Sequence, residues 1–324
     1  MLKVLYAGSP SVSAKVLGEL LNNQEKLGFK IVAVLTNPPS AQGRHKELIP
    51  TELAKLAAEW NKNHNDSIKI FEPEHLLAAE REQIAALNAD LLVCFAYGHI
   101  FGPKFLSVFP LGGINLHPSL LPKYRGATPV PAAILAGEKE SGISIQKLAL
   151  EADTGDILVQ EKIILNGNET AESLLEDSAK LGAEQLLKVL SYTAQNNSLP
   201  DSHPQEGTPS LCSFISKEDG RINWQEDTKT IYARLRAYTP WPGVFTLAAG
   251  KVLKILEAEP VEFSDSNDYK WGTVVSCNKK DGIIVKTGDS ALKLLKLQWQ
   301  GKNAVSWKDF LNGARNFEGS VLGE

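Results

Sequence analysis

The sequence predicts an α/β protein: a mostly parallel, Rossmann-like sheet with helices on both faces, followed by a small β-barrel. Three observations predict it. Strand-like and helix-like apolar patterns alternate through the first half, and these strands are apolar throughout, as in a sheet buried on both faces. Past a polar, proline-containing stretch, the second half becomes a run of short strands separated by turn signals. The length, 324 residues, is about twice that of a typical domain.

Residues 2–7 form the first strand and run into Gly8-Ser9-Pro10. Val12, Val16, Leu17, Leu20 and Leu21 then recur at helical spacing. Residues 30–36, with β-branched Ile31, Val32 and Val34, are the second strand, and the polar stretch 37–46 follows as a loop. Residues 51–60 read as a helix with Thr51 as N-cap, 67–71 as a short strand and 75–87 as a helix. Residues 90–96 form a nearly all-apolar strand ending at Tyr97-Gly98. Ligands of such sheets bind beyond the carboxyl ends of the strands. That directs attention to residues 8–10, the 37–46 loop, residues 96–98 and whatever follows Gly112-Gly113-Ile114. Gly8-Ser9-Pro10-Ser11 stands where a G-x-G-x-x-G turn would be, so no nicotinamide cofactor is expected.

A long helix over 170–193 carries Leu174, Leu175, Leu181, Leu186, Leu187 and Leu190. Residues 196–210 contain three prolines and few apolar residues, and read as a linker between domains 1–195 and 211–324. Beyond it come a helix at 228–237 and strands at 244–247, 252–256, 272–276, 282–286 and 291–297. Turns such as Lys280-Asp281-Gly282 separate them, which suggests the barrel.

Composition narrows the function classes. Hydrophobic residues are 43% and charged residues 22%, an ordinary globular balance. There is no apolar run of about 18 residues, so no membrane partner or span is expected. The first residues lack a secretory signal's apolar core and cleavage site, and the expected compartment is the cytoplasm. Cys94, Cys212 and Cys277 are scattered without metal-ligand spacing, so no disulfide framework and no metal is expected. Net charge is −4. From Leu211 onward 16 Lys+Arg stand against 14 Asp+Glu, and before it 18 against 24. The second half is relatively basic, but too weakly for charge alone to argue a polyanionic partner.

The densest cluster of chemistry is Gly113-Ile114-Asn115-Leu116-His117-Pro118 and the residues after it. In an extended segment Asn115 and His117 share a face, and Pro118 ends the ladder just beyond them. An amide donor beside an imidazole suits acyl transfer, since the amide can bond an oxyanion while the imidazole handles protons. Taken alone, the pair reads first as a strand-end Asn and a core His satisfied by backbone. The carboxylate such a pair needs could come from Ala152-Asp153-Thr154-Gly155-Asp156, a turn between two strand-like runs. Asp in that setting is ordinarily an Asx-turn residue.

Asn115-x-His117-x-Ser119-Leu120-Leu121-Pro122-x-x-Arg125-Gly126, together with Asp153-Thr154-Gly155-Asp156, resembles the signature of folate-dependent formyltransferases. Over essentially its whole length the chain is similar to the methionyl-tRNA formyltransferase family. The resemblance implies catalytic roles for Asn115, His117 and Asp153. It implies folate contacts at Ser119, Leu120, Leu121 and Pro122 and at the strand-end Tyr97 and Gly98. The formyl donor would be 10-formyltetrahydrofolate and the acceptor initiator methionyl-tRNA, with no metal and a monomeric chain.

Gly43-Arg44-His45-Lys46 resembles the family's basic loop, which implies tRNA contacts at Arg44, His45 and Lys46. Residues 220–224 and 235–243 look like the start of its OB-like C-terminal domain, with Trp224 and Trp241 assigned mainly to packing. Residues 148–152, His99 and Gly102 depart from the family pattern. Two alternatives remain open on these residues: a sugar-nucleotide formyltransferase built on the same core, and an RNA-binding protein that keeps a decayed formyltransferase scaffold.

Overall fold

Fully apolar strands can only be buried by helices on both faces, and the computed structural model has that arrangement. It describes residues 1–42, 47–64, 67–264, 268–313 and 316–323. Seven strands form the main sheet, in the spatial order Ile157–Ile164, Glu140–Lys147, Gly113–His117, Leu91–Cys94, Leu2–Ala7, Phe29–Leu35 and Lys69–Phe71. The last five run parallel to one another. The first two are antiparallel, with Glu140–Lys147 joining Gly113–His117. Alternation along each strand feeds two apolar layers. Val4, Tyr6, Ile114 and Leu116 belong to one, with the helices Ser11–Leu27 and Ala171–Asn196. Leu5, Ala7, Leu92 and Cys94 belong to the other, with Phe101, Phe105 and Phe109.

The helices start where local chemistry satisfies their first N–H groups. Thr51 Oγ1 accepts from the Ala54 N–H at 3.2 Å and caps Glu52–Asn63. Ala78–Ala85 is shorter than the helix read from sequence, because the Glu80 carboxylate reaches back to the Leu77 N–H at 3.0 Å and fixes the first turn there. The 37–46 stretch is not all loop: Ser40–Gln42 pairs antiparallel with Glu47–Ile49. Gly43, Arg44, His45 and Lys46 lie outside the described residues.

The chain divides into two compact units. One comprises Met1–Pro129, Glu140–Ile164 and Leu175–Cys212; the other Val130–Lys139, Leu165–Leu174 and Ser213–Glu324. Residues 196–210 thus group with the first. The second unit is built on an antiparallel sheet in the order Val244–Ala248, Lys251–Val261, Ala291–Trp299, Gly282–Lys286 and Val274–Asn278, with Val305–Ser306 beside Ala291–Trp299. Its two end strands do not pair with each other among the described residues, so the sheet is open rather than a closed barrel. Val321 and Leu322 make single bridges to Thr273 and Ala248 at those edges. Trp224 packs as expected and donates its indole N–H to Thr246 Oγ1 at 3.0 Å. Trp241 does not: it lies in the turn after Thr228–Ala237 and is 56% exposed.

Candidate active site

Period-two alternation puts Ile114 and Leu116 into the core and leaves Asn115 and His117 together on the opposite face of Gly113–His117. The register with the antiparallel neighbour sets Gln146 opposite Asn115 and Ser144 opposite His117. The turn that follows, Glu151 to Gly155, folds back onto this face. Gly155 makes that approach possible, since a Cβ there would stand 1.8 Å from the Lys147 carbonyl oxygen. Asp153 itself takes a left-handed backbone, φ 56°.

Four groups converge on the Asp153 carboxylate. Oδ2 accepts the Gly126 backbone N–H at 2.8 Å. Oδ1 accepts from Gln146 Nε2 at 2.8 Å and faces His117 Nδ1 at 3.4 Å. Asn115 Nδ2 lies 3.5 Å from the same oxygen, at the outer limit of a hydrogen bond. The Asn115 amide therefore keeps donor capacity for another acceptor.

His117 is almost wholly buried. Its Nε2 lies 2.9 Å from the Tyr124 carbonyl oxygen, which only accepts, so Nε2 carries hydrogen. In the neutral ring the lone pair is then on Nδ1, facing Asp153. Burial holds the His117 pKa below the ordinary histidine value; the Asp153 charge and the Tyr124 carbonyl oppose the shift without cancelling it. The ring is thus a proton acceptor at neutral pH, and any proton it gains at Nδ1 lies against a carboxylate. Burial pushes the Cys94 thiol up to about 12 and raises Cys212 as well, so neither supplies a thiolate. Among the described residues, no group of three or more His, Cys, Asp and Glu is placed to hold a metal.

Ser119 to Pro122 form a tightly tied loop. Ser119 Oγ donates to the Lys123 carbonyl at 2.7 Å, and Ser144 Oγ donates to the Ser119 carbonyl while accepting the Leu121 N–H. Gln160 Nε2 donates to the Leu121 carbonyl at 2.9 Å. Leu120 packs over Gly142, where no Cβ would fit. Residues 120–124 line a cavity of about 310 Å3 together with Glu140, Gln160, Lys162 and Gly207. A larger cavity, about 630 Å3, runs along Glu52–Asn63 and is lined by none of the expected site residues.

The Tyr97 ring is buried and stacked on Phe101, with centroids 5.4 Å apart. Burial pushes its phenol up to about 12. Gly98, at φ 87°, has open space beside it among the described residues. His99 bonds to Asn37 Oδ1 through Nε2. Sequence reasoning missed Gln146, the Gly126 N–H and the Tyr124 carbonyl. Gln146 had a signal: with Ser144 it alternates with the apolar Ile143 and Ile145 along one strand.

The chain matches two family models: "Formyl transferase" over residues 2–190 and "Formyl transferase, C-terminal domain" over residues 214–315. It is 43% identical to a methionyl-tRNA formyltransferase of Treponema denticola, with 98% of each chain covered. Among solved structures it resembles WlaRD, a sugar 3N-formyl transferase, at TM-score 0.62 and 21% identity, covering 94% of this chain and 99% of that one. It also resembles HypX from Aquifex aeolicus in complex with tetrahydrofolic acid, at TM-score 0.62 and 15% identity. The match covers 98% of this chain and 48% of HypX, so this chain spans about half its length. At these identities the two structures establish a shared fold.

Two outcomes follow from the geometry. By NMR titration of the imidazole nitrogens, His117 should protonate below the ordinary histidine value, and lower still in Asp153→Asn. Burial favours the neutral ring, and that variant removes the charge which opposes burial. Gly155→Ala forces its Cβ against the Lys147 carbonyl. Chemical denaturation should register a loss of about 1–3 kcal/mol, and turnover should fall with it because the same turn carries Asp153.

Proposed function

Because this chain belongs to the methionyl-tRNA formyltransferase family, we propose that Asn115, His117 and Asp153 carry its transfer of a formyl group to the free amino group of methionyl-tRNA. The donor is 10-formyltetrahydrofolate and the acceptor is methionine's α-amine on initiator tRNA. The observation that carries this reading is the convergence of His117 and Asn115 on one oxygen of Asp153.

In the reaction the neutral amine attacks the formyl carbon. A C–N bond forms and the carbonyl π pair moves to oxygen. Asn115 donates an amide hydrogen to that oxyanion. The attacking nitrogen must shed a proton, which the His117–Asp153 pair accepts. Asp153 is the more exposed partner, 15% of its side chain against 5% for His117, so substrate meets the pair at the carboxylate edge. The imidazole behind it takes the proton at Nδ1, and the carboxylate stabilises the resulting cation. Collapse of the intermediate breaks the bond to the folate nitrogen, which takes a proton in return, so protons balance over the cycle.

Ser119 to Pro122, Tyr97 and Gly98 are proposed to border the folate. The tied loop makes a rigid wall there, which supports a role for its backbone more than for its committed side chains. Arg44, His45 and Lys46 are proposed to contact tRNA phosphates, and residues 211–324 to form an OB-like tRNA-holding domain. The family match over 214–315 and the antiparallel sheet support the latter. The compartment is that of charged tRNA, the cytoplasm, and no helix among the described residues is long and apolar enough to cross a membrane.

Formylation of charged initiator tRNA, compared with a sugar-nucleotide amine, tests the acceptor; turnover on the sugar alone would replace it. Asn115→Ala and Asp153→Ala should each lower kcat at least about a hundredfold while the fold survives. Near-wild-type turnover in either would remove that residue from the chemistry. Arg44→Ala should raise KM for charged tRNA, leave folate binding unchanged, and flatten the salt dependence of tRNA binding by about one phosphate contact. Kinetics at two salt concentrations, with each substrate varied in turn, would show this.

A further inference from the structure

Residues 196–210 have no part in the chemistry above, yet they lie along the first unit as a bonded strap. Ile157 and His203 exchange backbone hydrogen bonds of 2.8 and 3.0 Å. The Ser210 carbonyl accepts the Arg125 N–H at 2.9 Å, and Ser210 Oγ accepts the Tyr124 N–H at 2.8 Å. Leu211–Cys212 then pairs with Arg125–Gly126. Between these anchors the Gln205 side chain reaches the Asp153 turn.

Gln205 Nε2 donates to the carbonyl oxygens of Asp153 and Gly155, both at 2.9 Å. Gln146 Oε1 is also near, at 3.3 Å. A primary amide has two hydrogens, so the two shorter bonds use both and Gln146 shares one of them. At the other end, Gln205 Oε1 accepts from Arg125 Nη2 at 2.7 Å and Nε at 3.1 Å. That fork admits only an acceptor and so fixes which end of the amide faces the turn. Asp153 holds a left-handed backbone that a non-glycine residue keeps only where its surroundings enforce it. The two carbonyls that Gln205 binds flank the apex of that conformation.

We infer that Gln205 is a positioning residue for the formyl transfer: its amide clamps the Asp153 turn and so holds the carboxylate within reach of His117 and Asn115. The inference rests on the role proposed for Asp153. The competing explanation is a tether that merely fastens the strap to Arg125.

Gln205→Glu separates the two. It keeps an acceptor for Arg125 but loses both N–H donors to the turn, whereas Gln205→Ala loses everything. Both variants should lower kcat for methionyl-tRNA formylation by about tenfold or more, with KM for each substrate within about twofold. Thermal unfolding measured alongside should show the Glu variant folded. In an Asp153→Asn background the Gln205→Ala factor should largely vanish, because groups that act through one another are not additive. Wild-type kcat in Gln205→Glu, a loss expressed only in KM, or an undiminished factor in the double variant would overturn the inference. If Asp153→Asn alone keeps wild-type turnover, the role of Asp153 itself fails. If that variant is impaired and the Gln205 variants are not, only the clamp fails.

Discussion

The Asp153 carboxylate is the constraint on which the rest of the site depends. A carboxylate largely withdrawn from water is costly unless donors replace its hydration. Here Gly126 serves one oxygen, and Gln146 serves the other beside His117 and Asn115. Gly126, Gln146 and the Asn115–His117 pair come from three different parts of the chain, so the carboxylate forces agreement among them. Gln146 arrives because Glu140–Lys147 runs antiparallel to Gly113–His117, which sets it opposite Asn115. Antiparallel strands can be joined by a short turn, whereas a parallel pair needs a long crossover. The switch of direction at this edge of the sheet therefore lets a nine-residue stretch, 148–156, place Asp153 over the face its neighbour exposes.

Much of the frame was legible in the sequence because it is written in local patterns. Apolar runs gave the buried strands, the Thr51 cap gave a helix start, and residues 228–237 and 282–286 matched the observed helix and strand. The shared face of Asn115 and His117 followed from alternation alone. The meeting with Asp153 did not, because it depends on a register between strands distant in sequence, and composition carries no register. Only the resemblance to a family linked the two segments.

Other differences have physical reasons of the same kind. Proline and polar residues in 196–210 read as a linker between domains because such a segment lacks an apolar stripe. A strap held by backbone pairs and side-chain amides needs no stripe. Trp241 was expected to pack, but apolar character does not say which aromatic finds a cavity. Trp224 is buried with a partner for its N–H, whereas Trp241 sits in a turn and is 56% exposed. The antiparallel sheet was legible from its turn signals, whereas its closure was a matter of pairing between strands far apart in the chain.

Tyr124 and Asp153, the two groups that hold His117, both sit at left-handed backbone angles, φ 58° and 56°. Each such residue costs about 1–3 kcal/mol and persists only when neighbours over-determine it. One short stretch supplies a neighbour to each, with Ser210 holding the Tyr124 N–H and Gln205 holding the carbonyl of Asp153. The tautomer of His117 and the position of its carboxylate are therefore set by the same strap. A boundary drawn by composition ends the first domain at residue 195, and the family model ends at 190. The hydrogen bonds around the site continue beyond both, to Ser210 and to the pairing of Leu211–Cys212 with Arg125–Gly126.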